Sequence, residues 1–454
     1  MIIESINPAT EEIEARFETL SDTDLEGRIA LASASERRHR DTTLQERIAW
    51  ITAARRLLEE RQETLAEMIT REMGKPVASA ILEIRKCMTV CDYYAENGAA
   101  LLADRPVQTA ASDSFVRHLP LGIVLAIMPW NFPFWQVFRF AIPAFMAGNV
   151  VLLKHAENTL GCSASIEALF REAGVPDGGF QSLVISVAQT QKLLTDPRVR
   201  AATFTGSESA GQAVAETAGK HLKKVVLELG GSDPFIVMPS ADLDQAVVDA
   251  TRGRLNNCGQ SCIAAKRIII HRDLYTEFRD ALVASFESQT VGSPLDQQTQ
   301  IGPMATEALR ARLHDQVSES LALGATAITA TDPIERPGWF YRPTILENIP
   351  TAAPASSEEL FGPVASLFEV NSFDDAIRLA NQTRFGLGSV LYSRDDQEVA
   401  RAFNEIEAGA TFVNTITASD PNLPFGGIKH SGYGRELAAE GMHEFMNLKT
   451  CWIR

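Results

Sequence analysis

The residues of this chain best suited to covalent chemistry are the two cysteines of Asn257-Cys258-Gly259-Gln260-Ser261-Cys262 and the carboxylate of the upstream Glu228-Leu229-Gly230-Gly231. A thiolate is strongly nucleophilic, and a Cys in a glycine-flanked turn beside a base can attack a carbonyl carbon. Cys262 is read as that nucleophile and Glu228 as the base. Alone the pair says little, because a Cys is most often a small buried side chain and a lone Glu most often sits in water. A third residue adds weight. The apolar run Leu119 to Met128 ends in Pro129-Trp130-Asn131-Phe132-Pro133, where Asn131 is either a turn former beside proline or an amide donor for the oxyanion of a tetrahedral adduct.

Three further motifs complete an ordered set that spans nearly the whole chain from Asn7-Pro8 onward: Phe204-Thr205-Gly206-Ser207, Glu359-Leu360-Phe361-Gly362-Pro363 and Pro424-Phe425-Gly426-Gly427-Ile428-Lys429. With them the chain resembles the aldehyde dehydrogenase superfamily. The resemblance implies that Cys262 attacks an aldehyde carbon while the Asn131 amide and the Cys262 backbone N–H receive the oxyanion. Hydride then leaves for a nicotinamide, and water activated by Glu228 hydrolyses the thioester on Cys262. Glu228 must be basic at that step, which requires a pKa below or near the working pH. Glu359 and Phe361 match the family pair that holds the nicotinamide ribose and flanks the ring, and Trp130 and Leu229 are counted with them as cofactor-binding.

No G-x-G-x-x-G motif stands at the expected strand-to-helix turn. Instead Gly206, Ser207 and Gly211 lie where an inferred strand, Ala201 to Phe204, enters a helix. Its first N–H groups could face a pyrophosphate, or the glycines could simply punctuate the turn; the resemblance favours the first reading. In similar enzymes a Lys and an acidic residue at the positions of Lys154 and Glu157 hold the adenosine ribose. A carboxylate there repels a 2′-phosphate, so NAD is the expected cofactor, with NADP as the alternative. Two departures from the family pattern, His155 after the Lys and Cys258 near the nucleophile, bear on cofactor preference and on local hydrogen bonding.

For the substrate, Pro133 suits the first turn of a helix on which Trp135 and Arg139 share a face. A ring beside a guanidinium fits a short chain with an aldehyde at one end and a carboxylate at the other; the alternative is that Arg139 is a structural ion pair. The chain is especially similar to bacterial succinate semialdehyde dehydrogenases through Met128 to Arg139, Glu228 to Phe235, Gln260 to Arg267 and Phe425 to Glu436. Their pattern places a carboxylate-binding Arg at Arg139 and a second donor, Ser419, on the loop before Pro424. Glutarate semialdehyde or another short aliphatic aldehyde is the neighbouring choice. Ester turnover without nucleotide would instead mark a thiol hydrolase or acyltransferase, and no turnover at all a non-catalytic protein that keeps the cleft.

Positioning these groups takes more than one ordinary core. The chain has 454 residues, 45% hydrophobic and 22% charged, with a formal net charge of −16. That balance opposes nonspecific binding to nucleic acid or anionic membrane. The absence of a long apolar run and of a basic, cleavable N-terminal segment gives a cytoplasmic expectation. Six cysteines without C-x-x-C spacing or His partners argue against zinc and a disulfide framework, leaving no metal expected and only a minor redox role for Cys258. Helical periodicity runs from Thr43 to Thr70 and from Val77 to about Leu102. Short strands then alternate with helices: Gly122 to Met128, Asn149 to Lys154, Leu183 to Ile185, Ala201 to Phe204, Phe235 to Val237 and Arg267 to Ile270. The fold class is α/β, with two doubly wound domains, one Rossmann-like for the cofactor and one catalytic, and a small β oligomerisation arm. The expected division is 1–106 and 128–228 for NAD binding, 229–425 for catalysis, and 107–127 with 426–454 as the arm. Arm edges that a monomer must cover predict a homodimer or homotetramer.

Overall fold

In a computed structural model, described for residues 1–331, 334 and 336–454, the apolar run Ile123–Met128 lies buried in the middle of a six-stranded sheet. The sheet order is Gly432–Tyr433, Lys224–Glu228, Val199–Thr205, Ile123–Met128, Val150–His155 and Phe180–Ser182. Every pairing is parallel except that of the Gly432–Tyr433 edge. From Ile123–Met128 the chain winds outward through Val150–His155 to one side, then returns to lay Val199–Thr205 on the other. The strand order therefore reverses between Ile123–Met128 and Val199–Thr205. The crevice beyond the carboxyl ends of such a pair is where ligands bind in doubly wound sheets.

A second sheet has seven strands in the order Thr326–Ala327, Thr344–Glu347, Val364–Val370, Ala265–His271, Asp233–Val237, Gly388–Tyr392 and Ala410–Val413. It too is parallel apart from its first pair. Phe235, Ile268, Ile270 and Ile345 fill one face and Ile236, Ile269 and Leu391 the other. The two doubly wound α/β sheets thus bury separate cores, as near-continuous apolar strands covered on both faces require. Smaller sheets are the hairpin Ile2–Ile6 with Ile13–Glu18 and an antiparallel arm of Met446–Ile453, Asp113–Pro120 and Arg105–Pro106.

The structure differs from the sequence reading at several boundaries. Residues 123–127 are not part of the arm, because that run is too apolar to leave a core. The Gly432–Tyr433 segment is likewise an edge of the six-stranded sheet, so the arm's C-terminal strand starts only at Met446. The periodic stretch Thr43 to Thr70 is two helices, Leu44–Glu60 and Gln62–Met73, broken at Arg61 where φ is −113° and ψ 13°. The strand expected at Leu183 to Ile185 pairs one turn earlier, at Phe180–Ser182, and Leu183 adds only an N–H to Leu153 at 2.8 Å. The helix Val77–Leu102 has the expected bounds. Among the described residues no helix is long and apolar enough to cross a membrane.

Candidate active site

Asn131 follows the strand Ile123–Met128 and precedes the helix Trp135–Ala147, whose start is fixed by a carboxylate from outside. Glu83 accepts the N–H groups of Phe134 and Trp135 at 2.8 and 3.0 Å, and pairs with Lys75 at 2.5 Å in a fully buried ion pair. Placed this way, Asn131 meets the cysteine turn. Its side-chain amide donates to the Gln260 carbonyl at 3.1 Å, and Asn257 donates to the carbonyls of Asn131 and Gln260 at 2.9 Å each.

The turn departs from regular geometry. Asn257 and Cys258 both have φ of 56° and Gly259 has φ of 73°, the left-handed region that side chains with a Cβ enter at a cost. Neighbours hold it there. Buried Arg254 donates to the carbonyls of Val364, Leu360, Gly362 and Gly259. Lys266 donates to Ser261 and Cys262 carbonyls at 2.9 and 2.7 Å, and Gly302 N–H meets the Cys258 sulfur at 3.2 Å. Cys258 is thus a buried structural acceptor, and burial raises its thiol to about 11. All six cysteines are free.

Cys262 is the half-exposed member. Burial pushes its thiol up to about 12, against the pull of the Lys266 and Arg139 charges. It lines an open cleft together with Asn131, Glu228, Gly206, Ser207, Glu359 and Phe361, and with Trp130 and Leu229. The cleft opens where the strand order reverses. Glu228 ends the strand Lys224–Glu228 and is fully buried with Oε1 lacking a hydrogen-bond partner. Burial drives its carboxyl well above the ordinary range; Arg139 and Arg435 oppose this and Glu436 adds to it. The surroundings therefore disfavour the carboxylate form that the base role requires.

The cofactor candidates divide. Ser207 is the N-cap of the helix Glu208–Lys220 but its hydroxyl bonds none of the first-turn N–H groups, and Gly206, Ser207 and Glu208 at this helix start line the cleft. Gly211 packs inside: a Cβ there would come within 2.5 Å of Leu229 Cδ2, so its glycine permits the helix to approach Leu229. Glu359 receives the Gly231 N–H and the Lys266 ammonium at 3.1 Å each, and Phe361 meets Trp130 edge-on at 5.8 Å. These donors, the glycine cradle and the aromatic wall fit a dinucleotide. Lys154 is half-buried and Glu157 exposed, and neither lines this cleft. Between them His155 is buried, bonding the Pro133 carbonyl through Nε2 at 2.9 Å and the Ala156 N–H through Nδ1 at 2.8 Å. Burial lowers it to about 4, so the neutral ring ties the end of the strand Val150–His155 to the Asn131 loop.

The structure gives each of the substrate-side residues a protein partner. Arg139 is buried, ion-paired with Glu436 and 4.7 Å from the Phe425 ring centroid. Its charge is thus met inside the protein by Glu436, while its Nη2 has no hydrogen-bond partner. Trp135 and Ser419 come together around a residue the sequence reading did not single out: Lys86 donates to Ser419 Oγ at 2.6 Å and lies 4.5 Å over the Trp135 ring. Lys266, Arg254 and Asn257 were also missed as supports. Lys266 stands four residues after Cys262, but only the fold shows which carbonyls it reaches.

The aldehyde dehydrogenase family model matches residues 1–451. The chain belongs to the aldehyde dehydrogenase family. It is 49% identical, over the full length of both chains, to a Mycobacterium tuberculosis (strain H37Rv) protein named succinate-semialdehyde dehydrogenase [NADP(+)] 1. It is also similar to the crystal structure of succinic semialdehyde dehydrogenase from Streptococcus pyogenes in complex with NADP+, at 35% identity, TM-score 0.97 and 99% coverage of each chain. The succinate-semialdehyde dehydrogenase structure from Burkholderia pseudomallei matches at 33% identity and TM-score 0.96, covering 99% of this chain and 94% of that one. Among the described residues of this aldehyde dehydrogenase, no group of His, Cys, Asp and Glu is placed to hold a metal ion.

Proposed function

We propose that this aldehyde dehydrogenase oxidises succinate semialdehyde to succinate, with NADP as oxidant. The observation that carries the reading is the convergence of Cys262, Asn131 and Glu228 on one cleft that also holds the free N–H groups of the helix starting at Glu208. The full-length relatives named for this substrate and cofactor support it.

Cys262 attacks the aldehyde carbon as thiolate, its proton passing to solvent or to a base, and the carbonyl electrons move onto oxygen. The Asn131 amide has one hydrogen committed to Gln260 and one left for this oxyanion, beside the Cys262 N–H. A nicotinamide dinucleotide bound in the cleft would supply the hydride acceptor, and loss of hydride from the former aldehyde carbon leaves a thioester on Cys262. Water then adds to the thioester carbon, Glu228 takes its proton, and the C–S bond breaks to release the carboxylic acid and the Cys262 thiolate. Glu359 and Phe361 would hold the reactive end of the cofactor.

The NAD preference expected from Glu157 rested on a partly desolvated carboxylate. In the structure that side chain is exposed and free to turn from a 2′-phosphate, while Lys154 nearby supplies a cation for it. The arm supports a homo-oligomer: Leu448, Trp452 and Ile453 are 63, 57 and 54% exposed on its C-terminal strand, surface that a second copy would cover. Sedimentation as a monomer at micromolar concentration would remove that part of the reading.

The decisive assay is an aldehyde panel, comprising succinate semialdehyde, glutarate semialdehyde and butanal, followed by nicotinamide reduction with NADP and with NAD. The highest kcat/KM should fall to succinate semialdehyde with NADP. Equal rates with butanal would sink the substrate assignment, and ester turnover without nucleotide would move the protein to another reaction class.

A further inference from the structure

Most large-scale charge burial in this protein is balanced. Lys75 pairs with Glu83 at 2.5 Å, Lys266 with Glu359 at 3.1 Å and Arg139 with Glu436, while Arg254 and Arg267 each spend their donors on backbone carbonyls. Lys86 is one of the exceptions. It is half-buried on the helix Val77–Leu102, and among the described residues no carboxylate lies within ion-pair distance of its ammonium. What touches it is neutral: the Ser419 hydroxyl at 2.6 Å and the Trp135 ring at 4.5 Å. A sequestered ammonium without a counter-ion is costly, and an anion that arrives from solvent recovers that cost.

The location suits a substrate. Lys86 stands one helical turn beyond Glu83, the residue that holds the N–H groups of Phe134 and Trp135 and so sets the helix entered from Asn131. Gln136, next to Trp135, lines the cleft with Cys262. Arg139, one turn further along that helix, adds a buried Nη2 with no hydrogen-bond partner. The nearest acid on the Ser419 side, Asp420, has Oδ1 turned to the backbone and side-chain nitrogens of Asn422, at 2.8 and 2.7 Å.

We infer that Lys86 is the cation that receives the distal carboxylate of the substrate, with the Ser419 hydroxyl as second donor and the Trp135 ring as the wall against which the ammonium rests. This deepens the substrate reading above and rests on it. It also reassigns the task expected of Arg139, whose charge Glu436 already takes. Burial, and then the neighbouring Arg139 charge, bring the Lys86 ammonium down to about 8, with Glu83, Asp420 and the Cys87 thiol raising it. The charged form is thus present at neutral pH and lost above it.

The test compares kcat/KM for succinate semialdehyde and for butanal in wild type, Lys86→Met and Lys86→Arg. Loss of one desolvated charge contact should lower the succinate semialdehyde to butanal ratio on the order of 10- to 100-fold in Lys86→Met, through KM rather than kcat. Lys86→Arg should restore part of it, and wild-type KM for succinate semialdehyde should climb as pH passes about 8. A wild type that prefers the carboxylate substrate and a Lys86→Met enzyme that keeps the full preference would overturn the inference alone. A wild type without the preference would overturn the substrate reading and the inference together.

Discussion

The turn from Asn257 to Cys262 and the loop from Lys154 to Glu157 differ in how far their surroundings dictate them. The turn runs through consecutive left-handed residues, and the side chains of Arg254, Asn257 and Lys266 all donate to carbonyls within or beside it. From Lys154 to Glu157, where the strand Val150–His155 ends, only the His155 side chain is anchored; the side chains of Lys154 and Glu157 make no hydrogen bond or ion pair among the described residues. Backbone strain persists only where neighbours over-determine it. The end of the site assigned to bond making is therefore rigid, and the end assigned to choosing between cofactors is adjustable by single side chains. Changes near Cys262 should be severe and changes near Glu157 mild.

The severest test falls on Glu228. Replacing it by Gln removes the base and keeps the volume, so a burst of reduced cofactor should remain while steady-state turnover drops by roughly 10²- to 10⁴-fold, the usual range for a general base. The sign of the pH effect follows from its raised pKa. Burial raises the carboxyl above its ordinary range, so the basic form is gained at higher pH than for a solvated Glu, and wild-type deacylation should rise with pH. The Cys262 thiol, also raised, pushes the burst rate in the same direction. Stopped-flow burst and steady-state rates must therefore be read separately across pH. A steady-state slope that survives in Glu228→Gln would assign it to another group, and loss of the burst would remove Glu228 from the deacylation step.

Gly259→Ala probes the turn itself. Its φ of 73° disfavours a Cβ, and that atom would point into the Gly362 carbonyl and the Pro363 nitrogen. Neither is the free end of a flexible side chain. A loss of about 2 to 4 kcal/mol in chemical denaturation, with activity falling alongside, is expected from strain plus displacement. A variant with wild-type stability and activity would mean that the turn yields easily and that the contrast drawn above is false.

Much of this was legible before the fold. Cys262, Asn131 and Glu228 announce themselves because their motifs combine a reactive side chain with Gly or Pro, and the helix Val77–Leu102 because its apolar positions keep one period. Arg139 was ambiguous for a physical reason: a guanidinium one turn from a Trp looks the same in sequence whether its partner is a substrate or a protein carboxylate. That partner, Glu436, is almost three hundred residues away. Lys86 carries no local signal at all. On an amphipathic helix it reads as one more solvated lysine, and only the packing of Trp135 and Ser419 around it removes it from water. The arm boundary failed similarly, since residues 107–127 join a β-prone arm strand to a core strand with only Leu121 and Gly122 between Pro120 and Ile123.

The smallest expected effect concerns Glu157. If the ribose-side loop is as adjustable as its exposure suggests, one carboxylate there discriminates weakly, because a solvated charge is screened and can rotate away. Glu157→Ser removes the negative charge, adds a hydroxyl, and leaves Lys154 to meet a 2′-phosphate. The ratio of kcat/KM for NADP to that for NAD should rise by only about two- to fivefold, the scale of an exposed charge contact, and the gain should shrink with added salt. The salt series separates two explanations. A shift well above tenfold that persists in high salt would mean that cofactor binding buries Glu157 against the ribose, restoring it as the main discriminator and making this loop as tightly determined as the cysteine turn. An unchanged ratio would take Glu157 out of cofactor choice and leave Lys154 as the residue to test there.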